Sequence, residues 1–122
     1  AVKGNKINVT GSLNRFRDII YVDDVVNALK MSLTFENSNI FNLSTGVKTT
    51  IKELIDTIIK VLGKNKEDFI IENVGGHLGD QQGCVGNNKK LIKKGWEVKY
   101  DLETGINKFI EYIKNNEHNI SK

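Results

Sequence analysis

Proline is absent from this chain, and cysteine occurs once, as Cys84. A single thiol can neither close a disulfide within the chain nor build a thiolate metal cluster, so a reducing, cytoplasmic setting is expected. Histidine is nearly as scarce. His77 and His118 lie far apart, and neither has a carboxylate or thiol at ligand spacing, which argues against a metal centre. Long apolar runs are missing too: none approaches the ~20 residues of a membrane span, and the opening AVKGNKINVT has no secretory pattern. Nor does charge of one sign dominate. Eighteen Lys and Arg stand against 15 Asp and Glu, for a net +3 over 122 residues. That balance suits an anionic ligand but falls short of the concentrated basic face of a nucleic-acid binder.

What is present is the patterning of one folded domain, with 39% hydrophobic and 27% charged residues. Alternation predicts a strand over Lys6–Thr10, ended by a turn at Gly11-Ser12. With no capping element before this first strand, the chain reads as cut from something longer. The β-branched and aromatic run Ile19–Val22 predicts a second strand. Val22, Val25, Val26, Leu29 and Leu33 then recur at the spacing of one inner helical face. Ile40–Leu43 read as a strand that stops at Ser44-Thr45-Gly46. A second helix carries Ile51, Leu54, Ile55, Ile58, Ile59 and Leu62, opens on a capping box of Thr50 and Glu53, and ends at Gly63. A strand follows over Asp68–Val74. Gly75–Asn88 form a glycine-rich loop, and Lys89–Lys94 a short basic helix with Leu91 and Ile92 as its apolar contacts. Trp96 has the size of a core plug. A last helix opens at Asp101, with Leu102, Ile106, Phe109, Ile110 and Ile113 inward. This order argues for a mixed α/β unit.

Two stretches offer chemistry. In RDIIYVDDVV, Arg17 can pair with Asp18 or clamp a phosphate, while Asp23 and Asp24 stand where a helix start needs acceptors. In the loop from Gly75 to Gly86, glycines allow close backbone approach and His77, Asp80, Gln81 and Gln82 supply polar groups. The spacing is not a dinucleotide fingerprint, because the segment opens no long helix and places an Asp where a pyrophosphate would lie. Asp80 suits the hydroxyls of a ribose, or an Asx-turn that shapes the loop. Cys84 reads as an incidental thiol. Lys89, Lys90, Lys93 and Lys94 lack interleaved aromatics and read as a solvated helix face. The chain contains no P-loop and no Tyr followed four residues later by Lys.

RDIIYVDDVVNAL, then IFNLSTG with TIKELIDTIIKVLG, then GDQQG with NNKKLIKKGWEVKYDLETGINKFIEYI resemble, in that order, the C-terminal part of the NAD-dependent nucleotide-sugar epimerase/dehydratase family. These are extended short-chain dehydrogenases, UDP-glucose 4-epimerase among them. The resemblance implies a small, mixed, three-layer-type α/β fragment, with residues 1–116 as a nucleotide-sugar-binding domain and 117–122 as a polar tail. The NAD-binding Rossmann domain and the catalytic Tyr-Lys pair belong to a part with no counterpart here. NAD is thus expected in the parent enzyme and not in this fragment, which carries no catalytic residue of its own. By the same resemblance Arg17 contacts the substrate diphosphate and Asp80 the ribose. His77 stands where the family has a second diphosphate arginine; Arg15 and Gln81 complete the expected substrate-binding set. The expected role is the substrate-binding part of an epimerase. The alternatives are the same part of a 4,6-dehydratase, or a non-catalytic scaffolding domain. Its partners would be a nucleotide-diphosphate sugar and the absent Rossmann domain, with no nucleic acid or membrane, in a parent that often forms homodimers in this family.

Overall fold

A computed structural model describes residues 4–76, 79 and 81–116. His77, Asp80, His118 and the polar tail 117–122 lie outside the described residues. Strand β1 (Lys6–Val9) pairs in parallel with β4 (Ile70–Asn73), in register from Lys6 opposite Ile70 to Val9 opposite Asn73. Val9 and Phe69 meet Ile55 and Ile59 of helix α2 (Ile51–Val61) in one buried cluster, flanked by Ile7, Leu13, Ile51 and Ile71. The capping box starts α2 as its sequence predicts. The Glu53 N–H donates to Thr50 Oγ1 at 3.1 Å, and the Thr50 N–H donates back to Glu53 Oε2 at 2.7 Å. Gly63, with φ +64°, turns the chain out of the helix.

The mixed α/β reading holds, but among the described residues the strands form two separate two-stranded sheets. The second sheet joins β2 (Phe16–Arg17) antiparallel to β3 (Thr49–Thr50). The strand expected over Ile19–Val22 is not formed. β2 stops at Arg17 because Asp18 turns its carboxylate onto two distant loops, and helix α1 (Val22–Ser32) begins immediately afterwards. Nor is the strand expected at Ile40–Leu43 formed: this segment has no ladder partner among the described residues.

Helix α1 exists as predicted but presents a different face. Asp24 and Ala28 are its buried residues, whereas Val22, Val26, Leu29 and the following Leu33 are exposed. Ala28 is small enough to let the helix lie on Leu91 and Trp96, which form a second buried cluster with Phe35, Phe41 and Leu43 around it. Asp23 and Asp24 do not cap α1, whose N-cap is Tyr21 with no side-chain cap bond. Asp24 is instead fully buried. Its carboxylate accepts the Lys99 and Tyr100 N–H groups at 3.2 Å, and its carbonyl accepts Trp96 Nε1–H at 3.2 Å. Trp96 is therefore a core plug that also keeps its polar handle satisfied.

Helix α3 is short (Lys89–Ile92); it buries Leu91 and leaves Ile92 half exposed. Lys89, Lys90, Lys93 and Lys94 are all exposed, as a solvated face requires, and two of them also make contacts. Lys90 Nζ donates to the Ile40 carbonyl at 2.8 Å and sits over the Phe41 ring, and Lys94 sits over Phe35. Helix α4 (Leu102–Asn115) is capped by Asp101, which accepts the Thr104 N–H at 2.8 Å. It buries Gly105 and Ile110 but exposes Phe109, which had been expected inward. Lys60 ties α2 to α4 through Glu103 at 2.6 Å.

Candidate functional site

β2 is the centre of the site because chain closes on it from both sides. On one side Phe16 and Arg17 stand opposite Thr50 and Thr49. On the other, the Phe16 N–H donates to the Gln82 carbonyl at 3.1 Å, and Phe16 bridges Gly83 in parallel. Gly83 allows this approach, since a Cβ there would run into the Phe16 carbonyl and ring. The end of the glycine-rich loop is thus stitched beside the residue that precedes Arg17.

Asp18 fixes the next layer. Its Oδ1 accepts the Thr45 N–H at 2.7 Å and the Thr45 hydroxyl at 2.5 Å; its Oδ2 accepts the N–H groups of Gly46 at 2.9 Å and Gly86 at 3.1 Å. Partial burial works to raise this carboxyl's pKa. The hydrogen bonds from Thr45, Gly86 and Gly46 outweigh it and hold the group below its ordinary range. Asp18 is therefore occupied as a backbone anchor, and the Arg17–Asp18 pairing considered from sequence gives way to that role. Arg17 Nη1 donates to the Phe16 carbonyl at 2.7 Å.

Arg15 lies one residue before β2. Its guanidinium lies against Gly11, where a Cβ would come within 2.6 Å of Cζ, and it donates to the Thr10 carbonyl. It lines an open hollow of about 670 Å³ whose polar residues are Ser12, Asn14, Lys52, Asn73 and Gln82. Arg17 is not among the lining residues, so the two arginines are neighbours that do not share one wall. Gln81 is exposed beside the hollow's Gln82. Lys48 sits over the Phe16 ring at 4.4 Å, so Arg15, Arg17, Lys48 and Lys52 gather four cations around the β2–β3 pair.

Asp18, Asn73 and Lys52 were not singled out by sequence. Asn73 enters through the parallel register that places it opposite Val9, and Lys52 through the first turn of α2. No local pattern announces either. Asp18 was visible only as a neighbour of Arg17, because its donors lie at Thr45 and beyond.

No family model matches the chain. It is 34% identical over 113 residues to the dTDP-4-dehydro-6-deoxyglucose reductase of Escherichia coli, across 88% of this chain and 34% of the relative. Several further relatives are UDP-glucose 4-epimerases. The fold matches the dTDP-glucose 4,6-dehydratase of Bacillus anthracis, solved with NAD, at a TM-score of 0.83 and 28% identity, over 96% of this chain and 37% of that one. It matches the UDP-glucose 4-epimerase of Thermotoga maritima, solved with UDP-glucose, at 0.82 and 28%, over 94% and 37%. The chain belongs to the NAD-dependent nucleotide-sugar epimerase/dehydratase family.

This member of the epimerase/dehydratase family spans about a third of the length of the relatives it matches. Two glycines of the loop serve chain packing, Gly83 against Phe16 and Gly86 against Ser44, and the helix that follows, α3, is too short for a dinucleotide-binding turn.

Proposed function

We propose that this chain is the substrate-holding part of a nucleotide-sugar epimerase, with the nucleotide diphosphate bound across β2 and the end of the glycine-rich loop. The reading rests on one observation: Gln82 and Gly83 are stitched to Phe16, next to Arg17 and one residue from Arg15. In sequence Asp80 and Gln81 directly precede Gln82 and Gly83, which lie beside Phe16, between Arg15 and Arg17. The arginine forks and Lys48 suit phosphate oxygens, and the Asp80 carboxylate suits a ribose diol. His77, in the same loop, is a weaker cation than an arginine at neutral pH, which leaves Arg17 the larger share of the diphosphate charge. In the parent enzyme NAD would bind the remaining two thirds and exchange hydride with the sugar, while binding energy from the nucleotide positions the reacting carbon. The UDP-glucose complex of the Thermotoga maritima enzyme favours a uridine nucleotide, and the Escherichia coli relative favours a thymidine one.

Calorimetric titration separates these possibilities. UDP should bind more tightly than uridine. Arg17→Ala should weaken UDP by about ten- to a hundredfold, the range for a hydrogen bond to a charged group, and leave uridine nearly unchanged. Equal affinities for UDP and uridine in the wild type would remove the diphosphate from the proposal. Tighter binding of dTDP than UDP would move the assignment toward the dehydratase branch.

A further inference from the structure

Asp18 follows Arg17 in sequence, and a carboxylate beside a guanidinium is its natural partner. The pair is not made. An ionised carboxylate offers about four lone-pair sites. Asp18 accepts four hydrogen bonds, from the Thr45 N–H and hydroxyl on Oδ1 and from the Gly46 and Gly86 N–H groups on Oδ2, so its accepting capacity is filled. Arg17 makes one bond among the described residues, from Nη1 to the Phe16 carbonyl, and the rest of its fork has no acceptor there. β2 ends at Arg17, so no ladder fixes the direction of the Asp18 side chain. Its four donors do.

Two of the donor residues are arranged for this task. The Val47 N–H donates to Thr45 Oγ1 at 3.1 Å, which leaves the hydroxyl proton of Thr45 for Asp18. Gly86 reaches Asp18 because it has no side chain. A Cβ there would lie 2.4 Å from the Ser44 hydroxyl oxygen, which is buried and has no hydrogen-bond partner among the described residues.

We propose that Asp18 is a positioning residue for Arg17: Thr45, Gly46 and Gly86 hold its carboxylate away from the neighbouring guanidinium and so keep that fork open to an anion. When those donors let go, the carboxylate swings onto Arg17 and neutralises it. Order in the 45–46 turn and at the Gly86 end of the glycine-rich loop is thereby coupled to anion affinity. The inference rests on reading Arg17 as the diphosphate contact, and it concerns only ligands whose anionic end meets Arg17.

The test is a double-mutant cycle read by calorimetric titration with UDP. Gly86→Ala drives Gly86 off Asp18 through the contact with Ser44, and should weaken UDP by about tenfold, the scale of a hydrogen bond to a charged group, while sparing uridine. Thr45→Val removes only the hydroxyl donor and should act in the same direction by a smaller factor. Adding Asp18→Asn to Gly86→Ala deletes the charge that pairs with Arg17, and should recover most of the loss. In the wild-type background Asp18→Asn should bring no gain, because the carboxylate is already engaged. A double variant that binds UDP no better than Gly86→Ala makes Asp18 a structural anchor only and overturns the inference. So does an equal gain from Asp18→Asn in both backgrounds, which is the removal of a distant negative charge. Thr45→Val with Asp18→Asn runs the same cycle where Gly86→Ala lowers the folded fraction.

A reading without ligand keeps this inference apart from the diphosphate assignment. Phenylglyoxal modifies arginine, and a carboxylate partner slows the reaction by holding the proton on the guanidinium. Followed by mass spectrometry with Arg15 as reference, Arg17 modification should slow several-fold in Gly86→Ala and return in Gly86→Ala with Asp18→Asn. That pattern in a chain with no preference for UDP over uridine removes the ligand and leaves the sequestration of Asp18 standing. A wild type that prefers UDP, with Arg17 equally reactive in every variant, removes the sequestration and leaves the ligand.

Discussion

Single carboxylates hold this chain's loops in place, and each can be tested alone. Asp18 accepts four hydrogen bonds from residues at least 27 positions away, so Asp18→Ala should cost roughly 2–3 kcal/mol as those N–H groups lose a charged partner, measured by urea unfolding. Its folded pKa lies below the unfolded value, which fixes the sign of the pH effect. The stabilisation is fully present above the ordinary carboxylate range and is lost as pH falls through the lowered folded pKa. The gap between wild type and Asp18→Asn should therefore narrow in acid, and a gap that widens as pH falls would contradict this account. Arg17 stands out in the sequence because an arginine ahead of a rigid element is a local feature. The work of Asp18 and Asp24 does not, since the donors to Asp24 are at Lys99 and Tyr100 and only the folded chain brings them together. A pair of acids before a helix reads as capping, and tertiary contacts overrode that reading.

At the level of elements, local rules worked wherever the deciding interaction was local. Thr50 and Glu53 sit three residues apart and form the capping box, so Thr50→Ala should destabilise the chain by about 1 kcal/mol. For α1 the periodicity announced a helix but not the neighbour it would meet, and Ala28 with Asp24 took the inner side. Ile40–Leu43 reads as a strand for sound reasons of composition, yet a strand needs a second strand, and the described chain offers none. Glycine-rich loops are similarly ambiguous, because closeness to a ligand and closeness to another strand select the same residue. Gly83 is decided by geometry, which leads to a distinct expectation. Gly83→Ala should push Gln82 and Gly83 away from Phe16, lowering the thermal midpoint and UDP affinity together. A variant with wild-type affinity and a lowered midpoint would show that the stitch is structural only.

Across the whole molecule the two buried clusters are separate, one built on Val9, Ile55, Ile59 and Phe69 and the other on Ala28, Leu91 and Trp96. Asp18 lies at their joint: it follows β2, which pairs with the strand that opens α2, and its oxygens hold Thr45, Gly46 and Gly86 on the side of the second cluster. The proposed diphosphate site sits on that joint, so ligand would brace both halves at once. Such an arrangement predicts two cooperative units of unequal stability. Trp96→Ala removes a buried indole that fills the second cluster and satisfies the Asp24 carbonyl, a change worth about 3–5 kcal/mol and comparable to the stability of a small domain. Native-state hydrogen exchange on this variant should show α1 and α3 amides opening early while those of α2 and β4 keep their wild-type protection. If α2 and β4 lose protection in parallel with α1, the molecule unfolds as one unit, and the joint at Asp18 is part of a continuous core.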